Sequence, residues 1–125
     1  MDWKLFITLL GVLATVVVLK RISFISPAKA TELLKQGALV IDVRNPGEFN
    51  SGHVPGALNI PLGDLSSELP RCVPDRNKVL LLHCLSGARS GIARQQLRRM
   101  GYLNSFNMGS YSRAESIVRK APQTP

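Results

Sequence analysis

Residues 79–100 read VLLLHCLSGARSGIARQQLRRM, and the fold turns on how this stretch is parsed. Val79 to Leu82 is a short, unbroken apolar run, the pattern of a strand buried on both faces. It delivers His83 and Cys84 to its end. A loop of small residues follows, Leu85, Ser86, Gly87 and Ala88, closed by Arg89 and Ser90. Ile92 to Met100 then reads as an amphipathic helix stopped by Gly101. A thiol between a buried strand and a helix start sits where free backbone amides and the helix dipole favour an anion. Gly87 lets the chain curl so that successive amides face inward. Arg89 offers a positive fork, and the Ser90 hydroxyl a hydrogen bond. The loop predicts stabilisation of an anion on or beside Cys84. The plain alternative is a structural cysteine at an ordinary strand–helix turn.

Upstream, the same grammar recurs. SPAKATELLKQG has helix punctuation: Ser26 as N-cap, Pro27 at the first helical position, Gly37 past the end. ALVIDVR is apolar through Ile41 and turns polar at Asp42 and Arg44, a second buried strand with its functional end at the C-terminus. NPGEFNSGHVPG reads as loop, ALNIP as a short strand, and Leu62, Leu65 and Leu69 space as a short helix. Downstream, YLNSFNM reads as a strand and Tyr111 to Lys120 as a last helix. Strands alternating with helices imply an α/β fold, a parallel sheet flanked by helices on both faces. Sites in such sheets gather beyond the carboxyl ends of the strands, where Asp42, Arg44 and Cys84 all fall.

With 125 residues there is room for one domain. Three segments are expected: residues 1–25 as an N-terminal transmembrane anchor and flank, 26–120 as the domain, and 121–125 as a frayed, flexible tail. Leu5 to Leu19 carries no charge and is bounded by Trp3 and Lys4 on one side and Lys20 and Arg21 on the other. This predicts one transmembrane helix, with snorkelling basic residues extending its reach. A cleaved signal peptide is an alternative, with AKA at Ala28 to Ala30 as a late candidate site, and a buried helix another. The basic residues after the run, Lys20, Arg21, Lys29 and Lys35, place the domain in the cytoplasm by the positive-inside rule. Periplasmic or secreted localisation would follow from cleavage. The formal net charge of +8 makes nucleic acid the first partner to weigh. No basic run is interleaved with aromatics, so no nucleic-acid partner is expected. Arg94, Arg98 and Arg99 suit instead a solvated face beside an anionic leaflet. Of the two cysteines, Cys72 falls in an expected loop, and a cytoplasmic setting would keep both reduced.

HCLSGARS resembles the active-site loop of the rhodanese family. VIDVRNPGEFNSGHVPGALNIP resembles the family's paired motifs, an Asp-x-Arg followed by Glu-Phe and then Gly-His-x-Pro-Gly-Ala. The resemblance runs from about Ser26 to Lys120. Related phosphatase and arsenate reductase loops place five residues between Cys and Arg. Here four intervene, a tighter ring suited to one sulfur atom.

The resemblance implies a sulfurtransferase with Cys84 as nucleophile and a persulfide cradled by Leu85, Ser86, Gly87, Ala88, Arg89 and Ser90. Asp42, Arg44, Glu48 and His53 become a supporting shell, with Arg44 and Glu48 paired and His53 near the mouth. His83 is expected to be packed rather than basic. No metal or organic cofactor is implied. The partners implied are a small sulfur donor such as thiosulfate, a thiol or cyanide acceptor, and a protein persulfide. Two departures stand out: Leu85 where many members carry a basic residue, and MGSYSRA in place of the late Gly-Gly and Trp pattern. The rival readings are a non-catalytic tether at the membrane and a phosphatase or arsenate reductase of related fold.

Overall fold

In the computed structural model, residues 2–21 and 23–121 are described, the side chains of residues 20 and 21 excepted. The chain runs α1 (Trp3–Arg21), α2 (Pro27–Lys35), β1 (Leu39–Asp42), α3 (Pro46–Asn50), β2 (Leu58–Asn59), a 3-10 turn (Leu62–Asp64), α4 (Leu65–Cys72), β3 (Leu80–His83), α5 (Ala88–Arg99), β4 (Ser105–Gly109) and α6 (Tyr111–Lys120). The four strands form one parallel sheet in the order β2-β1-β3-β4.

The central strands explain why the sheet is covered twice. Leu80, Leu81 and Leu82 are fully buried, yet they face opposite ways. Leu80 and Leu82 join Ile41, Leu65, Leu69, Leu97 and Tyr102 in one core. Leu81 joins Val40, Leu33, Met108, Ala114 and Ile117 in the other. Burying a leucine side chain fully contributes about 1.5–3 kcal/mol, so two such layers hold the strands without any polar alternation.

Helix punctuation behaves as the sequence predicts at α2, where Ser26 Oγ accepts from the Lys29 amide at 3.2 Å. The 46–50 stretch differs from the expected loop. Asn45 opens a one-turn helix there, and Glu48 reaches back to the Asn45 amide at 3.2 Å. Cys72 also differs: it ends helix α4 rather than lying in a loop, and its thiol is exposed and free. Of the expected tail, Ala121 is buried, and residues 122–125 lie outside the described residues.

Leu5 to Leu19 is helical as expected, within α1. The transmembrane span is not borne out: among the described residues, no helix is long and apolar enough to cross a membrane. The uncharged run is 15 residues. At 1.5 Å per residue it rises about 22 Å, against a hydrocarbon core of about 30 Å.

One irregularity positions the site. Register between β3 and β4 runs Leu82 to Asn107 and then His83 to Gly109, so Met108 is an extra residue on β4. Such a bulge re-aims the side chains beside it. Here the Asn107 side chain is turned toward the loop that follows β3.

Candidate active site

Cys84 follows the last residue of β3 and is fully buried. Its amide donates to Gly109 O at 3.2 Å, which ties the thiol to the end of β4. The chain then turns back sharply. Gly87 takes φ +101°, a conformation L side chains resist, and its amide donates to Cys84 Sγ at 3.0 Å. Ser90 Oγ lies 3.5 Å from the same sulfur. Burial pushes the Cys84 thiol up, but the Ser90 hydroxyl and the amides of Ser90, Gly87 and Ser86 together outweigh it. The thiol is held below its ordinary value, which favours the nucleophilic thiolate.

Asn107 anchors this arrangement, and sequence reading passed over it. It is 2% exposed. Its Oδ1 lies 2.8 Å from Ser90 Oγ and accepts from the Gly109 amide at 2.9 Å, and its Nδ2 donates to Gly87 O at 3.1 Å. An Asn in a strand otherwise bound for the core was the available signal.

The loop's other members have distinct surroundings. Leu85 is 57% exposed, and its carbonyl accepts from the Tyr111 amide at 3.1 Å. Ser86 bridges to Ser110, and Ala88 opens α5. Arg89 does not offer an open fork. Its Nη1 and Nη2 donate to the two carboxylate oxygens of Glu48, at 2.7 and 2.9 Å. Hydrogen bonding from Arg89, with the Asn45 amide, lowers the Glu48 carboxyl to about 2.

The expected Arg44–Glu48 pair is thereby corrected. Arg44 turns inward onto Asp42, its Nη2 2.8 Å from Oδ2, and also donates to Gly52 O at 2.8 Å. The pair is almost fully buried, so the shortest link, between neighbours two apart on the strand end, wins over the more distant carboxylate. Asn59 locks this strand end by donating to the carbonyls of Asp42 and Arg44, at 3.0 and 2.9 Å. Tyr111 lies under Arg44, ring centroid 4.6 Å from the guanidinium carbon.

His53 is exposed, stacks on Phe49 at 3.8 Å between centroids, and contacts Phe49 O through Nδ1 at 3.0 Å. It belongs to the α3 surface rather than to the hydrogen bonds around Cys84. His83 is buried beneath the loop, Nδ1 3.1 Å from Cys84 O and Nε2 3.7 Å from Asp42 Oδ2. Burial pushes it below its ordinary value, so it is neutral near pH 7. The altered corner after β4 keeps its geometry by other means. Gly109 has φ +100°, and Ser110 caps α6 by accepting from the Arg113 amide at 3.2 Å.

A strand-end thiol inside a tight amide ring, with paired acids and arginines behind it, was the arrangement the resemblance implied. The comparison with known families decides the matter: residues 26–114 match the rhodanese-like domain. The chain belongs to the rhodanese-like family. Thiosulfate sulfurtransferase PspE of Escherichia coli (strain K12) is 41% identical over 69 residues, 55% of this chain and 66% of that protein. The chain spans about two thirds or less of the length of the curated relatives it matches. Among solved structures, a rhodanese with anions from E. coli superposes at TM-score 0.59 with 36% identity. That match covers 62% of this chain and 91% of the other. The human single-domain sulfurtransferase TSTD1 superposes at 0.64 with 33% identity, covering 72% and 92%. These rhodanese relatives support the expectation of a rhodanese-type sulfurtransferase.

Proposed function

We propose that the protein moves a sulfane sulfur from a donor to an acceptor through a persulfide on Cys84. The observation that carries this is the Gly87 amide 3.0 Å from a buried Sγ whose thiol is held low. The Cys84 thiolate attacks the outer sulfur of the donor. The donor's S–S bond breaks, and sulfite, or the donor's own thiolate, leaves with the bonding pair. The new Cys84–S–S⁻ carries its charge on the outer sulfur, toward the ring of loop amides. A thiolate or cyanide acceptor then attacks that outer sulfur and the Cys84 thiolate departs, a two-stroke covalent cycle. No metal or organic cofactor enters these steps. Relatives named a putative sulfur carrier protein and a tRNA sulfurtransferase support a protein persulfide as one partner class.

Intact-mass spectrometry of the full chain after incubation with thiosulfate tests the chemistry, with Cys84→Ser alongside. One added sulfur, lost on adding cyanide or a thiol and absent from the variant, is the expected result. No gain with thiosulfate or with small persulfides would return the site to a non-catalytic tether.

A further inference from the structure

The segment before the matched family region is built into the catalytic loop. Ile25 donates its amide to Asn107 O at 2.8 Å, alongside β4. Arg113 straddles the junction, Nη2 to Ile25 O and Nη1 to Met108 O, both at 2.6 Å. This latch fixes Phe24, whose ring lies 5.3 Å from the Arg113 guanidinium carbon. The ring covers two glycines at once. A methyl group on Gly87 would lie 2.6 Å from Phe24 Cε1 and Cζ, and one on Gly109 3.0 Å from Cδ2. Those are the residues whose backbones hold Cys84: the Gly87 amide meets Sγ and the Gly109 carbonyl takes the Cys84 amide.

We propose that Phe24 is a positioning residue for the nucleophile, a ring that clamps the Gly87–Gly109 backbone from outside and so keeps the Gly87 amide on Cys84 Sγ. Asn107 holds the Gly87 carbonyl from within, and Phe24 closes the opposite side. Left-handed glycines are the most mobile links in such a loop, and a covering ring both restricts them and keeps water off the amide.

The proposal rests on Cys84 being the nucleophile, but its test reads the thiol and not sulfur transfer. The pH dependence of Cys84 alkylation by iodoacetamide is followed in the full chain by peptide-level mass spectrometry, which separates Cys84 from the exposed Cys72. Phe24 is 41% exposed, so its truncation leaves both cores intact. In Phe24→Ala the midpoint should rise by about one pH unit and the rate at pH 7 should fall about tenfold, as the thiolate loses its fixed donor. Phe24→Leu, which keeps most of the cover, should fall between Ala and the wild type. An unchanged midpoint in Phe24→Ala overturns the proposal. So does a rise accompanied by loss of the cooperative thermal transition at the assay temperature, since that marks unfolding rather than positioning. A wild-type chain that accepts no sulfur, yet shows the Phe24 shift, would defeat the proposed function and leave the clamp standing.

Discussion

The loops after β1 and after β3 meet at one end of the sheet and handle charge in opposite ways. The β1 side supplies Asp42, Arg44 and Glu48, and their charges are spent on one another and on Arg89. The β3 side meets Cys84 with the dipoles of amides and one hydroxyl. Charged groups are bulky and strongly hydrated, whereas amides pack into a ring the width of one sulfur and cost little to desolvate there. In this site the Asp42–Arg44 pair is framework, and the Ser90 hydroxyl with the loop amides lowers the thiol, beside an Arg89 guanidinium that interacts with both Glu48 and the sulfur.

The sharpest way to break that contrast is at Gly87. In Gly87→Ala the added methyl meets both φ +101° and the Phe24 ring. A forced left-handed alanine costs about 1–3 kcal/mol. Displacing a preorganised donor from a reacting anion costs about a hundredfold in rate. Sulfur-transfer kinetics and a thermal melt measure both, and a variant with native turnover would mean the amide ring is not what stabilises the sulfur.

Glu48→Gln probes the opposite loop and should matter less. Loss of the partly exposed pair with Arg89 should cost about 1 kcal/mol of stability. The Cys84 alkylation midpoint should move by under about half a unit, downward, as the freed guanidinium faces the sulfur. A larger shift would bring the charged shell into the chemistry. There is also a pH signature. Glu48 is held at about 2, below its ordinary 4.5, so its contribution to stability is full above the ordinary value. It is lost as pH falls toward about 2. Acid melts of Glu48→Gln should therefore lack part of the wild-type decline within that window.

The smallest effect belongs to the rim. Leu85 is exposed beside a nucleophile whose neighbouring Arg89 is already paired with Glu48. Leu85→Lys should raise kcat/KM for thiosulfate about threefold at low salt, with the gain fading as salt is added. Stability should stay within about 0.5 kcal/mol. A salt-independent result would show that the rim does not select donors by charge.

The sequence by itself determined the order of elements, the double burial of β1 and β3, and the thiol at a strand end inside a glycine loop. These are local facts: an unbroken apolar run, a cap residue and a left-handed glycine state their structure without reference to distant parts of the chain. Tyr111 to Lys120 appears as a helix with the predicted ends for this reason. Even the one-turn helix at 46–50 was locally written, in the Asn45-to-Glu48 spacing of a capping box, although turn pairs such as Pro46-Gly47 spoke louder. Tertiary structure alone decided who pairs with whom. Arg44 had two carboxylates within a few residues, and only the buried strand end shows that it takes Asp42 and leaves Glu48 to Arg89, 41 positions away. Asn107 and Phe24 acquire their roles from the β4 bulge and from a segment folded back across it. The physical reason is range: propensity and periodicity act over a few residues, whereas the choice of an ion-pair partner or a covering ring is made by chain segments that meet only after the sheet has formed.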